Sequence, residues 1–300
     1  MISVFKSAIN IGQMKAKVKQ LNAAIFEIQL LDKDIFECGL ALRLEAYLQE
    51  VPDVVMVHTM LDDATETVAG DVNLSYMCNP KNVTRLKEAF YVANRCAETF
   101  NHRVGVVMHS SAQNELLKLN NMYLNVCVCE IFALLHMFPL VDLYIENVTP
   151  YNMYLRSFDA GNLFDTVDNV LLLRKYIPDG ETRIFNTFDF CHARMTIDML
   201  NNVDINVSLE ELCEYYSKTT KEVHFSLMAG HGNNDDHGVG YRRELKDQFK
   251  DSMRLYNKYF NKALFCYEIR EDNYYENKNI IMTQRMVDMY DITHIGDGED

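Results

Sequence analysis

Short apolar runs and longer amphipathic segments alternate along the whole chain. The short runs are rich in β-branched and aromatic residues, which is typical of strands that are buried on both faces. The predicted strands are Ile2–Ile9, Ala24–Leu30, Val54–His58, Val104–His109, Val141–Glu146, Arg183–Asp189, Glu222–Ser226 and Ala263–Ile269.

The segments between these runs predict crossover helices, because their apolar residues recur at the three- and four-residue spacing of one helix face. They cover Asn10–Leu21, Asp34–Gln49, Asn82–Phe100, Ala112–Phe138, Phe164–Tyr176, Leu209–Ser217 and Arg243–Tyr259, and a last helix follows Asn273. This alternation is compatible with a closed (β/α)8 barrel or an open doubly wound sheet. Eight units without a glycine-rich phosphate fingerprint favour the α/β class and a single (β/α)8 TIM barrel.

The length of the chain fits one such domain. It has 300 residues, and an α/β barrel commonly takes about 250. No internal repeat, low-complexity segment or Pro/Gly/Ser linker divides it, so we expect residues 1–300 to form a single domain. The acidic end, His294–Asp300, is expected to be a frayed tail.

Composition limits the partners. The net charge of −14 disfavours a nucleic acid held by bulk electrostatics, although bound metal ions can supply a local positive field. No apolar run approaches the roughly 18 residues of a membrane span, so no membrane partner is expected. The eight cysteines form no C-x-x-C pair and the first residues lack a signal-peptide pattern, which predicts reduced thiols and a cytoplasmic protein.

Metal-competent side chains stand at or just past the ends of the apolar runs. They are His58, His109, Glu146, Asp189, His192, His224, Asp235, His237 and Glu268. A parallel barrel collects the carboxyl ends of its strands on one face, so residues far apart in sequence can meet there. Each position alone is explained equally well by a solvated or hydrogen-bonded side chain. Together they indicate a metal site, because many ionisable groups in one mouth are costly without cations.

The segments around these residues carry a family resemblance. They are strand-end His58 and His109, IENVT around Glu146, FDFCHA around Asp189 and His192, VHFS at His224, the D-x-H of Asp235 and His237, and CYE at Glu268. In order and spacing, over nearly the whole chain, they resemble the endonuclease IV group of the xylose-isomerase-like barrels. The resemblance implies a metal-dependent phosphodiester hydrolase, whose substrate in that family is DNA at abasic sites.

The resemblance also implies a centre of up to three divalent ions. One ion would lie among His58, His109 and Glu146, a second among Glu146, Asp189, His224 and Glu268, and a third among His192, Asp235 and His237. Glu146, Asp189 and Glu268 would then be the catalytic residues, with Glu146 bridging two ions. Because five of the nine candidate ligands are histidines, zinc is the expected metal, with manganese or iron as alternatives.

Two other functions remain open. Sugar or sugar-phosphate isomerases and epimerases of the same superfamily hold one ion, which here would use Glu146, Asp189, His224 and Glu268. Such an enzyme does not need the five additional ligands, so their joint presence favours the phosphodiesterase. A metal-stabilised binding module is disfavoured further, because structural metal sites are closed whereas a barrel mouth is open.

The rim of the predicted mouth departs from the family. Leu61 stands where endonuclease IV has a tyrosine, and the second strand carries Glu27 and Gln29 without the family's nearby DNA-reading arginine. The loop after His58 carries acidic residues that would repel a phosphate backbone, namely Asp62, Asp63, Glu66 and Asp71. The sequence therefore indicates a phosphodiester partner more strongly than duplex DNA, and it indicates no oligomeric state.

Overall fold

Eight parallel strands close into a barrel in chain order in the computed structural model, which describes residues 1–31, 39–61, 77, 80–110, 121–148, 162–201, 206–230 and 237–294. The strands are β1 Ile2–Ala8, β2 Phe26–Leu31, β3 Val54–Leu61, β4 Val104–His109, β5 Val141–Glu146, β6 Ile184–Asp189, β7 Thr220–Phe225 and β8 Leu264–Tyr267. The predicted (β/α)8 barrel is thus confirmed, and the open sheet is not formed. That residues 1–300 form one domain stays a prediction, and tail residues 295–300 lie outside the described ranges.

Helices alternate with these strands. They are α1 Ile11–Leu21, α2 Leu40–Leu48, α3 Pro80–Phe100, α4 Asn121–Met137, α5 Asn162–Tyr176, α6 Gly180–Arg183, α7 Phe190–Asn201, α8 Leu209–Tyr216, α9 Lys246–Tyr259 and α10 Lys278–His294, with a 3₁₀ turn at Arg243–Leu245. Helix α7 is absent from the sequence prediction, because its apolar first turn follows β6 directly and continues the same apolar run. Among the described residues, no helix is both long and apolar enough to cross a membrane.

The barrel interior changes character along its axis. Midway along β3, β4 and β5, Met56, Val107 and Tyr144 form an apolar cluster inside the barrel. Side chains on a strand alternate between its faces, so the residue two positions further on projects the same way. Those positions are His58, His109 and Glu146. On these three strands, this apolar plug lies beneath the polar residues of the mouth.

Strand register brings candidate ligands together in adjacent pairs. His109 lies opposite Glu146 between β4 and β5, and Asp189 lies opposite His224 between β6 and β7. A one-residue slip would turn these side chains to the helix-covered outer face, where apolar residues pack. The backbone pairing of the barrel therefore determines which ionisable groups meet at its mouth.

Gly105 tests the apolar plug, because a Cβ at this position would collide with Met56 Sδ and lie 2.6 Å from a Tyr144 ring carbon. We expect Gly105→Ala to lower the free energy of unfolding by about 1–3 kcal/mol through overpacking. Urea denaturation measures this change. The loss in the double variant Gly105→Ala/Met56→Ala should be smaller than the sum of the two single losses, because the shorter side chain removes the clash with Sδ. An unchanged midpoint in Gly105→Ala would contradict this packing.

Candidate metal centre

Glu146 lies at the centre of the polar mouth and is fully buried as the last residue of β5. Its Oε2 is 2.9 Å from His58 Nε2 and 3.8 Å from His109 Nε2. Its Oε1 is 3.2 Å from His192 Nδ1 and 3.3 Å from His224 Nδ1. The two carboxylate oxygens thus face different histidines, which is the arrangement of a carboxylate that can bridge two cations.

One complete ligand set surrounds Glu146 Oε1. Glu146, Asp189, His224 and Glu268 each offer one ligand atom, and these atoms all lie within 4.8 Å of one another. Within the described part of the chain, Glu146 Oε1 and Asp189 Oδ2 are buried without a hydrogen-bond partner, and His224 Nδ1 and Glu268 Oε2 lie 2.8 Å apart but outside hydrogen-bond geometry. Unpaired buried polar atoms are costly, and oxygen with imidazole nitrogen is a donor set that divalent ions accept. These residues therefore fit a divalent metal ion.

Two histidines are oriented by backbone carbonyl groups. His58 Nδ1 lies 2.9 Å from the Thr59 carbonyl oxygen, and His192 Nδ1 lies 2.9 Å from that of Asn147. Because a carbonyl oxygen only accepts, Nδ1 carries a proton in both rings, and Nε2 is the nitrogen through which either ring would bind a metal ion. Metal-ligating histidines are usually held this way.

A second histidine group lies beside Asp189. His192 and His237 stack with ring centroids 4.6 Å apart, and ligand atoms of Asp189, His192 and His237 lie within 4.8 Å of one another. Burial and then His192 lower the pKa of His237 to about 3, so its ring is neutral and able to ligate. Asp235, the further ligand predicted here, lies outside the described residues.

Buried carboxyl and imidazole groups shift one another's pKa in this mouth. Burial raises the pKa of Asp189 to about 7, and Glu268 and Glu146 add to the rise while His192 opposes it. Burial disfavours the charged form of His192, but Asp189 and then Glu146 raise its pKa to about 9. Asp189 and His192 thus retain protons more readily than free carboxyl and imidazole groups, and metal binding would release these protons.

Asn147 ties two ligand-bearing strands together. Its side-chain amide donates to the Asp189 carbonyl oxygen at 2.9 Å and accepts from the Asp189 backbone N–H at 2.7 Å. The His192 backbone N–H also donates to Asp189 Oδ1 at 2.5 Å. The ends of β5 and β6, and with them Glu146 and Asp189, are therefore held at a fixed separation.

All predicted ligands within the described residues meet at this mouth. They are His58, His109, Glu146, Asp189, His192, His224, His237 and Glu268. Two positions differ from expectation, since His58 stands three residues before the end of β3 and His192 lies in the first turn of α7. The assignment of these residues as ligands, and of Glu146, Asp189 and Glu268 as catalytic, stays a prediction.

A layer of ionisable side chains lies beneath these ligands and was not predicted from the sequence. Its members are Lys6, Glu27, Glu222 and Cys266, and Glu27, Glu222 and Cys266 form a group with His224 within 4.8 Å. The available signal was a charged residue interrupting an apolar strand, as in VFKSA, IFEIQ and KEVHF.

Comparisons with known proteins support the fold. No protein-family model and no curated protein matches this sequence. Among solved structures, endonuclease IV from Thermus thermophilus is similar with a TM-score of 0.55 and 13% identity, over 96% of this chain and 100% of that one. An L-ribulose 3-epimerase is similar with a TM-score of 0.54 and 11% identity, over 99% and 98%. Both of these structures thus share the barrel fold with this chain.

Thermal unfolding tests the fit of the mouth to a metal ion. Zinc at about 100 times its Kd should stabilise the protein by about 2.7 kcal/mol, raising Tm by about 4 °C. Asp189→Asn should abolish this shift by removing one ligand.

Asp142→Asn is the matched control, because Asp142 is also buried and acidic but contacts Arg103 at the opposite end of β5. This variant should keep the zinc-dependent rise even if its own Tm is lower. Equal zinc shifts in wild type and Asp189→Asn would contradict the proposed site.

Proposed function

We propose that this chain is a metal-dependent phosphodiester hydrolase resembling endonuclease IV, with two or three divalent ions at the barrel mouth. One observation carries the proposal: histidines beyond the four-ligand set converge on Glu146 and Asp189. They are His58, His109, His192 and His237. A one-ion isomerase requires only Glu146, Asp189, His224 and Glu268, so the extra imidazoles favour a centre with more ions.

The chain's own groups suit this chemistry. When bound, divalent ions would act as Lewis acids on phosphoryl oxygens and favour attack by water. Glu146, Asp189 and Glu268 would contact the ions as the catalytic residues. Asn147 holds Glu146 and Asp189 at their separation. The buried apolar cluster of Met56, Val107 and Tyr144 lies beneath the site on β3, β4 and β5.

The substrate class follows from charge. A net charge of −14 disfavours tight binding of duplex DNA, whose phosphates draw affinity from lysine and arginine. We therefore propose a small phosphodiester or a single-stranded nucleic acid ahead of an abasic-site duplex. The alternative is a sugar isomerase or epimerase. It is favoured because Glu146, Asp189, His224 and Glu268 form a set that could hold one ion without further ligands.

Metal content separates these functions. Elemental analysis of gently purified protein should find two or three ions per chain, with zinc expected because histidine is the commonest ligand type in the set. A single ion per chain would move the assignment to the isomerase and epimerase class.

Activity provides a second test. Wild type should hydrolyse bis(p-nitrophenyl) phosphate, and His109→Ala should lower kcat/KM at least about tenfold by removing a ligand outside the four-ligand set. His102→Ala is the control, since His102 pairs with Asp53 away from the mouth. Parallel assays take an abasic-site duplex at several salt concentrations and a panel of ketoses. Ketose interconversion that tolerates His109→Ala would overturn the proposal.

A further inference from the structure

Four charged or ionisable side chains form a closed ring that joins the candidate metal centre to the layer beneath it. Lys6 Nζ lies 3.1 Å from Glu27 Oε1, and Glu27 Oε2 lies 3.0 Å from His224 Nε2. His224 Nδ1 lies 2.8 Å from Glu268 Oε2, and Glu268 Oε1 lies 2.6 Å from Lys6 Nζ. Each side chain contacts two others, and two of the four belong to the four-ligand set.

Strand register builds this ring. Lys6 lies opposite Glu27 between β1 and β2, and Phe5 lies opposite Tyr267 between β1 and β8. Lys6 follows Phe5 and Glu268 follows Tyr267, so Lys6 lies beside Glu268. Because β1 pairs with both neighbours, Lys6 holds one carboxylate from each side.

Glu27 has a contact that bears on metal binding. Its carboxylate is fully buried, which is costly for an isolated charge. Lys6 compensates this charge on Oε1, and Oε2 is left to contact His224. An ionised carboxylate only accepts, so this contact places a proton on His224 Nε2. Nδ1 faces the carboxylates of Glu146 and Glu268, and it is the nitrogen from which a metal ion at this position would displace a proton.

We propose that Glu27 is a positioning residue for the metal centre, holding His224 in the tautomer and orientation in which Nδ1 binds the ion. Lys6 fixes Glu27 and occupies one oxygen of Glu268, so that the other oxygen alone faces the ion. This inference rests on the proposed metal centre. A carboxylate behind a metal-binding histidine also raises the basicity of the imidazole and strengthens metal binding.

Glu222 offers a matched control in the same layer. It is also fully buried, but its Oε2 is 3.7 Å from His224 Nε2, beyond hydrogen-bond distance. It accepts from Thr187 Oγ1 at 3.0 Å, which a glutamine oxygen can also do. The Glu222 carboxyl group also shares a hydrogen bond with Glu27, to which a glutamine amide can donate. Glu27→Gln and Glu222→Gln thus both replace a buried carboxyl group by an amide, and only the first alters the group bonded to His224.

The test measures zinc affinity by competition with a chromophoric chelator, and the visible absorption of the cobalt-substituted protein. Glu27→Gln should raise the Kd of the tightest site by about ten- to a hundredfold and alter the cobalt spectrum. Glu222→Gln should keep the wild-type Kd and spectrum. Glu27→Asp keeps the charge but is one methylene shorter, so it should also raise the Kd for zinc. If Glu27→Gln does not fold, the Kd of Glu27→Asp tests the inference instead, and a wild-type Kd would overturn it.

Failure of the inference can be told from failure of the metal centre. Wild type that binds no zinc would overturn the metal centre itself, and the inference with it. If wild type binds zinc, equal affinity in Glu27→Gln overturns the inference alone, as does an equal loss in Glu222→Gln. Long-range ¹H–¹⁵N spectra of the zinc-loaded wild type should place the remaining proton of His224 on Nε2. A proton on Nδ1 would overturn the inference without any variant.

Discussion

The fully buried carboxylate of Glu146 is the constraint around which the mouth of this barrel is organised. A charge without solvent must be compensated by its neighbours, and here imidazoles approach both carboxylate oxygens. Those imidazoles are themselves surrounded by Asp189, Glu268 and Glu27. Side chains alone leave several buried ligand atoms unpaired, so the arrangement is best balanced when cations occupy the space between them.

Barrel closure allows the fold to tolerate this arrangement. The strands pack against their helices through a continuous apolar core, and Met56, Val107 and Tyr144 form a second apolar cluster inside the barrel. Stability is therefore supplied outside and below the site, while the carboxyl ends of the strands can carry groups that oppose folding. Because adjacent strands deliver His109 with Glu146, and Asp189 with His224, the geometry of the mouth depends on register more than on flexible loops.

The sequence predicted the barrel and most of the residues that meet at its mouth, because both leave strong local patterns. Alternating apolar runs and helical periodicity specify the strand and helix order, and polar residues at strand ends predict convergence at one face. Lys6 and Glu27 were not predicted as part of the site because they lie inside their strands. That they face the interior follows only from the register between β1, β2 and β8. His192 was expected just past a strand end because the first turn of α7 is apolar, and its true position on a helix depends on tertiary packing.

The central claim is that Glu146 bridges two cations, and crystallography at the zinc absorption edge tests it most directly. Crystals of zinc-loaded protein should give one anomalous peak among Glu146 Oε1, Asp189, His224 and Glu268, and a second between Glu146 Oε2 and the rings of His58 and His109. Peaks that avoid Glu146, or a single peak that leaves His58 and His109 without a metal ion, would contradict the account.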